Sequence, residues 1–492
     1  MSTVFLLKYI LLVPLLGAFL ILFVPEKFGK PVILNISLIL TISIFFFNLF
    51  LWMDLQLYNV LDGGYHCCFE ISWLFGNAVW GVDGISFFFV LLTTFIIPLC
   101  LLYSWNLMHR YSFFQIKIYV VNFLLLMFFV LNVFCTLNLF VFFIFFEAIL
   151  MPMVLIIGIW GPGDRRIKAN YYFIFYTLVG SILLLFAILV IFTERGTTDF
   201  FLLFNMHWES TRVQLILWFC FFLSFAIKMP MFPFHIWLPE AHVEAPTAAS
   251  VVLAALLLKL GGYGFIRFLP LFPYAYIYFN PLMYTLGVVS VIYASFVTIR
   301  QIDLKKIIAY SSVAHMNLGT VGIFSLNFQG IQGSIFLMLS HGIVSSALFF
   351  LVGMLYDRYY TKFLKYYGGI AIKMPIYSSI LLFFSLANLG FPGTSNFIGE
   401  FLILIGVVEK NTSIMVLTAT GMLFSSIYSI WLFNRLCFGN IKIVFIKEYQ
   451  DLTKREYFCL FPLIFLTVLL GVAPDIVFNY TSLAIKGWLL FL

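Results

Sequence analysis

Charge is what this chain has least of. Of its 492 residues only 10% are Asp, Glu, Lys or Arg, where a soluble domain carries about 25%. Hydrophobic residues make up 63%, and the mean hydropathy is +1.09. A soluble fold leaves much of its surface in water and cannot hide that much apolar area. Lipid is therefore the solvent for most of the chain. This excludes a water-soluble enzyme, a nucleic-acid binder and a disordered tail. None of the seven cysteines (Cys67, Cys68, Cys100, Cys135, Cys220, Cys437, Cys459) stands in a C-x-x-C pair. The closely spaced thiolates of an iron–sulfur or zinc site are therefore missing. Neither G-x-G-x-x-G nor a P-loop is present. Redox or nucleotide chemistry connected with this chain is done elsewhere.

Aromatics are abundant, at 20% of residues with 63 Phe, a bias that fits an AT-rich genome such as an organelle's. A spanning helix needs about 20 apolar residues. Fourteen such runs are present: 4–24, 32–52, 84–105, 117–135, 137–159, 170–192, 213–238, 246–269, 281–299, 304–324, 331–356, 375–408, 412–433 and 458–478. The expected fold class is an all-α polytopic membrane protein of about 14 transmembrane helices. Only the 53–83, 193–212, 357–374 and 434–457 connections are long enough for extramembrane structure. The first run is followed by Glu26, Lys27 and Lys30, not by a small-residue cleavage site, so it reads as a retained helix. No Arg/Ser-rich transit peptide precedes it. Nineteen of the 27 Lys and Arg lie in or border the loops after odd-numbered spans. The positive-inside rule then puts those loops in the cytoplasm or matrix and both termini on the opposite, intermembrane-space or periplasmic side.

An ionisable group at mid-membrane is expensive and usually marks an ion or proton path. Four stand out: Glu147, Lys228, Lys259 and Glu400. A structural ion pair, or a lysine that snorkels to the interface, is the plainer explanation. Lys259, near a helix end, could snorkel. Glu147 has no stem to snorkel with. Two histidines join them. His315 shares a helix face with Ser311, Ser312, Gly319 and Gly322, and His341 has a similar stripe with Ser334, Ser345 and Ser346. Such stripes leave room for water and serve close helix packing equally well.

Two spans read as broken. The 375–408 run would be about 51 Å long as one helix, against a hydrocarbon core of about 30 Å. In its middle stand Gly390, Pro392, Gly393 and Asn396. The 213–238 run carries Pro230 and Pro233 just after Lys228. Irregular backbone at membrane depth survives only where it is buried or lines a wet cavity. Paired interruptions point to an internal repeat and a transport site. The expected organisation is one membrane domain: helices 1–3 (1–116), a first five-helix repeat (117–269), a second, inverted (281–433), and a C-terminal helix (458–492).

The block KMPMFPFHIWLPEAHVEAPTAASVVLAALLLKLGGYGFIR, from residue 228 onward, resembles the signature of the antiporter-like subunits of respiratory NADH:ubiquinone oxidoreductase, complex I. That family also includes multisubunit Na⁺/H⁺ antiporters. EAILMPMVLIIGIWG, IAYSSVAHMNLG and FPGTSNFIGEFLIL fit one subunit type in order and spacing, and the resemblance covers roughly 84–435. It implies proton translocation across the membrane, coupled to electron transfer from NADH to quinone. It also implies that NADH, FMN, iron–sulfur clusters and ubiquinone are handled by other subunits, with no cofactor or metal bound by this chain. The implied partners are other membrane-arm subunits, including neighbouring antiporter-like ones, and membrane lipids, with no nucleic acid. The implied location is the mitochondrial inner membrane, or a bacterial plasma membrane. Glu147 and Lys228 would be a charge pair, Lys259 the central proton carrier, and His315 and His341 members of a central hydrophilic axis. Glu400 would be the exit group, where sister subunits have Lys. Its place after the break suggests that a helix dipole helps to hold its charge. His235, Glu240 and His242 would be structural or gating. A free-standing Na⁺/H⁺ antiporter subunit and a purely structural membrane-arm subunit remain as alternatives.

Overall fold

The computed structural model describes residues 3–57, 66–73, 76–105, 110–204, 206, 208, 210–442, 445–446 and 448–489. Parts of the expected 53–83 connection, 58–65 and 74–75, lie outside the described residues. The chain opens with α1 (Thr3–Phe23), α2 (Lys30–Leu57) and the strands β1 (His66–Trp73) and β2 (Gly76–Val82). Next come α3 (Ser86–Tyr103), α4 (Phe113–Cys135), α5 (Leu139–Ala148), α6 (Leu150–Trp160), α7 (Arg166–Arg195), α8 (Phe200–Phe204) and α9 (Thr211–Lys228). The middle holds α10 (Trp237–Glu244), α11 (Thr247–Val252), α12 (Leu258–Phe268), α13 (Pro273–Arg300), α14 (Leu304–Ile323) and α15 (Phe328–Tyr359). The last part comprises α16 (Ile370–Lys373), α17 (Pro375–Leu389), α18 (Ser395–Val408), α19 (Thr412–Cys437), α20 (Lys454–Val472) and α21 (Asp475–Leu489).

Twelve helical stretches among the described residues are long and apolar enough to cross a membrane. They coincide with twelve of the fourteen expected runs. The other two runs hold α14 and the pair α17 and α18. Outward-facing apolar side chains such as Phe175 and Val472, each 73% exposed, suit a lipid solvent.

Both expected breaks are present. Helix α9 stops at Lys228, and turns fill the stretch from Met229 to Ile236 before α10. Helix α17 stops at Leu389, Gly390 takes a left-handed φ of 80°, and α18 starts at Ser395. Three features differ from expectation. The 137–159 run is two helices, parted at Ile149. Pro152 has no N–H to give the carbonyl of Ala148, so the ladder opens one turn before it. The span Thr247–Phe268 contains a π-helical turn, Leu253–Leu257, directly before α12. Finally, the C-terminal segment is not one helix: α20 ends ahead of Pro474 and α21 follows.

The described residues form two compact units, Met1–Lys228 with Lys259–Phe279 and Asn479–Leu492, and Met229–Leu258 with Asn280–Phe478. In the first, α1 packs on α2 and α4, α3 on both of these, and α7 on α6 and α9. The hairpin β1–β2 is antiparallel, with Phe69 stacked on Trp80 at 5.3 Å. Beyond it Asp83 and Ser86 exchange backbone-to-side-chain hydrogen bonds of 2.9 and 2.8 Å that start α3. Asp83 also accepts from the Arg267 guanidinium. Burial alone would raise the pKa of this carboxyl, but Arg267 and the Ser86 amide outweigh burial and hold it below the usual carboxylate value.

The second unit is built around α15, which is buried from Gly330 to Leu355. It packs against α14, α17, α18 and α20. Two glycines set its distance from α18. A Cβ on Gly333 would stand 2.8 Å from the Ile403 amide nitrogen, and one on Gly399 2.9 Å from the Leu337 backbone. Small residues of this kind bring membrane helices into backbone contact. Overpacking a filled core costs about 1–3 kcal/mol, occasionally more, and here the obstacle is backbone that cannot turn aside. Gly399→Leu should therefore prevent stable accumulation of the chain, whereas a lipid-facing change such as Phe401→Leu should not. Immunoblotting of membranes for both variants checks this.

Candidate functional site

In the second unit the break between α17 and α18 delivers Glu400. His315 Nδ1 on α14 lies 3.2 Å from Glu400 Oε1, and the side chains are 4% and 2% exposed. The His341 ring, on α15, has its centroid 5.7 Å from that of His315. Three residues singled out in the sequence thus form one contiguous row on three helices. Gly390 completes the setting, because a Cβ there would collide with Glu400 Oε2. Left-handed backbone and close approach both require glycine at that point. The expected help from the helix dipole is weaker than supposed. Glu400 is the sixth residue of α18, and the dipole's effect fades within the first turn. His315 is the nearer partner.

The stripe on α14 divides its tasks. Gly322 packs closely, its Cβ position lying 2.8 Å from Ile403 and 2.9 Å from the Gly330 carbonyl. Toward the other end, Ser311 lines a small cavity with Ser385, Asn388, Tyr428 and Ser429. The buried Tyr428 hydroxyl faces Asn388, Ser311 and the Glu400 charge. Such polar walls suit water. Glu409, at the end of α18, is held by Asn327 Nδ2 at 2.7 Å.

In the first unit, Glu147 is the next-to-last residue of α5 and Lys228 the last of α9. The electrostatic partners of the Glu147 carboxyl are Lys228 and the Ser181 hydroxyl of α7. Lys228 Nζ stands 4.5 Å over the Phe146 ring, and Lys228 is 3% exposed. Glu147 Oε1 has no hydrogen-bond partner. A buried, incompletely satisfied carboxylate facing an ammonium is a loaded arrangement, stable only while both charges are in place. Lys259 begins α12 just after the π-helical turn and is fully buried. Snorkelling does not describe it. Single π turns inside helices recur at functional sites.

His235, Glu240 and His242 take separate places. Glu240 pairs with Lys306 at 2.7 Å. His242 stacks on Phe349 at 4.7 Å, and His235 lies among Phe232, Tyr293 and Tyr310. Around them is a charged group that the sequence did not mark: Lys362 with Glu244 at 3.1 Å, and buried Lys305, whose ammonium donates to the Ala245 carbonyl at 2.8 Å. Sequence reading also missed Ser181, Asn388 and Tyr428, which carry no charge and sit in ordinary apolar runs. The one signal was the spacing that puts Asn388 beside the break. Among the described residues no group of three or more His, Cys, Asp or Glu is placed to hold a metal ion.

Comparison with known proteins gives the family. A family model described as NADH:quinone oxidoreductase/Mrp antiporter, TM, matches residues 136–426. The chain belongs to this family of antiporter-like membrane proteins. Among its relatives is NADH-ubiquinone oxidoreductase chain 4 of Marchantia polymorpha, 50% identical over 475 residues, 95% of this chain and 93% of the relative. NADH-quinone oxidoreductase subunit M of Rhodobacter capsulatus is 46% identical over 420 residues, 82% of this chain and 81% of the relative. A chain in the structure of respiratory complex I from Thermus thermophilus with bound NADH superposes with a TM-score of 0.86, at 28% identity and 99% coverage of both chains.

The row ending at Glu400 makes a direct prediction. Glu400→Gln keeps the shape and cannot ionise, so it should leave the assembled protein intact and cut proton pumping several-fold, while Glu400→Asp keeps part of it. Pumping measured at equal amounts of assembled complex checks this. Wild-type pumping by the Gln variant would reduce Glu400 to packing.

Proposed function

We propose that this chain is a proton-translocating membrane-arm subunit of an NADH:ubiquinone oxidoreductase, of the chain 4 type. Electron transfer from NADH through FMN and iron–sulfur clusters to ubiquinone is carried by other subunits, and this chain binds none of these groups. The observation that carries the reading is the placement of ionisable residues at the two breaks. Lys228 and its partner Glu147 stand where α9 stops, and Glu400 with His315 stands just after α17 stops. Close similarity of fold to a complex I chain and relatives of about the same length support it.

In this reading helices 4–8 and 9–13 are inverted repeats, each with one broken helix. Both termini lie on the intermembrane-space side of the mitochondrial inner membrane, on the strength of the Lys and Arg bias and the Phe-rich composition. Neighbouring antiporter-like subunits and membrane lipids surround the chain.

The charge pair works as a switch. Unit charges about 4 Å apart at an effective dielectric near 20 attract by roughly 4 kcal/mol, and Glu147 and Lys228, which stand farther apart than that, attract by less. Moving one proton against the membrane potential takes about 2.3 kcal/mol per 100 mV. A rearrangement that parts Glu147 from Lys228 therefore costs free energy and leaves the Lys228 ammonium without its counter-charge, so that its proton passes toward Lys259. In the second unit the His315–His341 row ends at the exit group Glu400. The redox reaction in the other subunits drives the separation.

The central carrier provides the test. Lys259→Ala should leave the complex assembled while lowering pumping and coupled turnover. Lys259→Arg should fail as well, because a guanidinium keeps its proton at any relevant pH. Normal pumping by an assembled Arg variant would remove the carrier role. A preparation that exchanges Na⁺ for H⁺ and copurifies with no NADH-oxidising partner would favour the free-standing antiporter instead.

A further inference from the structure

We propose that Arg267, anchored by Asp83, is an electrostatic barrier that keeps the proton on Lys259 from escaping along its own helix to a cleft beside Asn138. The inference rests on the reading of Lys259 as a proton carrier. Lys259, Tyr263 and Arg267 follow one another at four-residue intervals on α12 and so share one face. The face is only about 12 Å long. At its far end lies a small cleft lined by Thr136, Asn138, Phe200, Tyr263, Arg267 and Phe268. Thr136 and Asn138 give it polar groups. A carrier, a phenol and a polar cleft in one line would form a short circuit unless something blocks it.

The block is visible in the bonding. The Tyr263 hydroxyl donates to the Phe134 carbonyl at 2.9 Å and accepts from Arg267 Nε at 3.0 Å. With its proton committed to backbone and a lone pair taken by Arg267, the phenol has no free partner for a relay. Arg267 cannot join one, since it does not give up its proton. Its orientation adds a field. Nε points to Tyr263 while Nη2 points to the Asp83 carboxylate. The guanidinium is thus bonded to the phenol that stands between it and Lys259 on the helix face. A fixed positive charge at a narrow point opposes the arrival of a proton. Asp83 offsets the cost of burying the guanidinium and, through Ser86, ties it to the start of α3.

Proteoliposomes holding the intact complex, given a pH step without NADH or quinone and followed with an entrapped pH dye, test this. Arg267→Gln should raise the passive proton leak several-fold at equal amounts of assembled complex, and adding Lys259→Ala should bring it back to the wild-type level. Arg267→Lys keeps the charge and should stay tight, whereas a merely structural role for Arg267 predicts a leak from both. If Arg267→Gln does not assemble, the neutral pair Arg267→Gln with Asp83→Asn removes both buried charges together and should leak likewise. A wild-type leak in these neutral variants overturns the barrier. So does a leak that persists without Lys259. Normal pumping by Lys259→Ala would instead overturn the carrier reading, independently of the leak.

Discussion

An ion inside a lipid-surrounded helix bundle must face another polar group, and every departure from helix must be covered by protein. The rest of this structure follows from those two requirements. Glu400 meets the first through His315. The glycine that ends α17 at residue 390 also makes space for the Glu400 carboxylate. Break and ion are therefore one construction. Either alone would be a defect.

Rigid packing surrounds these soft places. Helix α15 is a buried mast that carries His341 and lets α18 come within backbone distance at Gly333 and Gly399. Such close contact compensates for the hydrophobic driving force that lipid removes between helices. In the first unit the Asp83–Arg267 pair and the hydrogen bonds of Tyr263 hold the end of α12 in the same way. Ion pairs brace the bundle elsewhere, at Arg358–Glu456 and at Lys306–Glu240. Glu147, in mid-span, keeps one oxygen without a hydrogen bond.

Much of this was legible in the residues. Long apolar runs have one physical outcome in lipid, because a helix is the way to satisfy every backbone group within a segment. The runs, the two breaks and the six ionisable side chains could therefore be read directly. The additional break at Ile149 was readable too, from Pro152, but an unbroken apolar run hid it. The hairpin β1–β2 and the division at Pro474 fell in stretches whose composition favours no single structure.

Sequence by itself determined the solvent, the fold class, the places where helix must stop and which side chains are too costly to be there by accident. Those properties depend on local composition and on the energy of single groups. Tertiary structure decided who faces whom. The Glu400–His315 contact joins residues 85 apart in the chain, and Asp83 meets Arg267 across 184. It also decided which uncharged residues complete the sites. Ser181, Asn388 and Tyr428 have no energy of their own that would mark them. They matter because packing brings a hydroxyl or amide to a charge, and no local pattern records that.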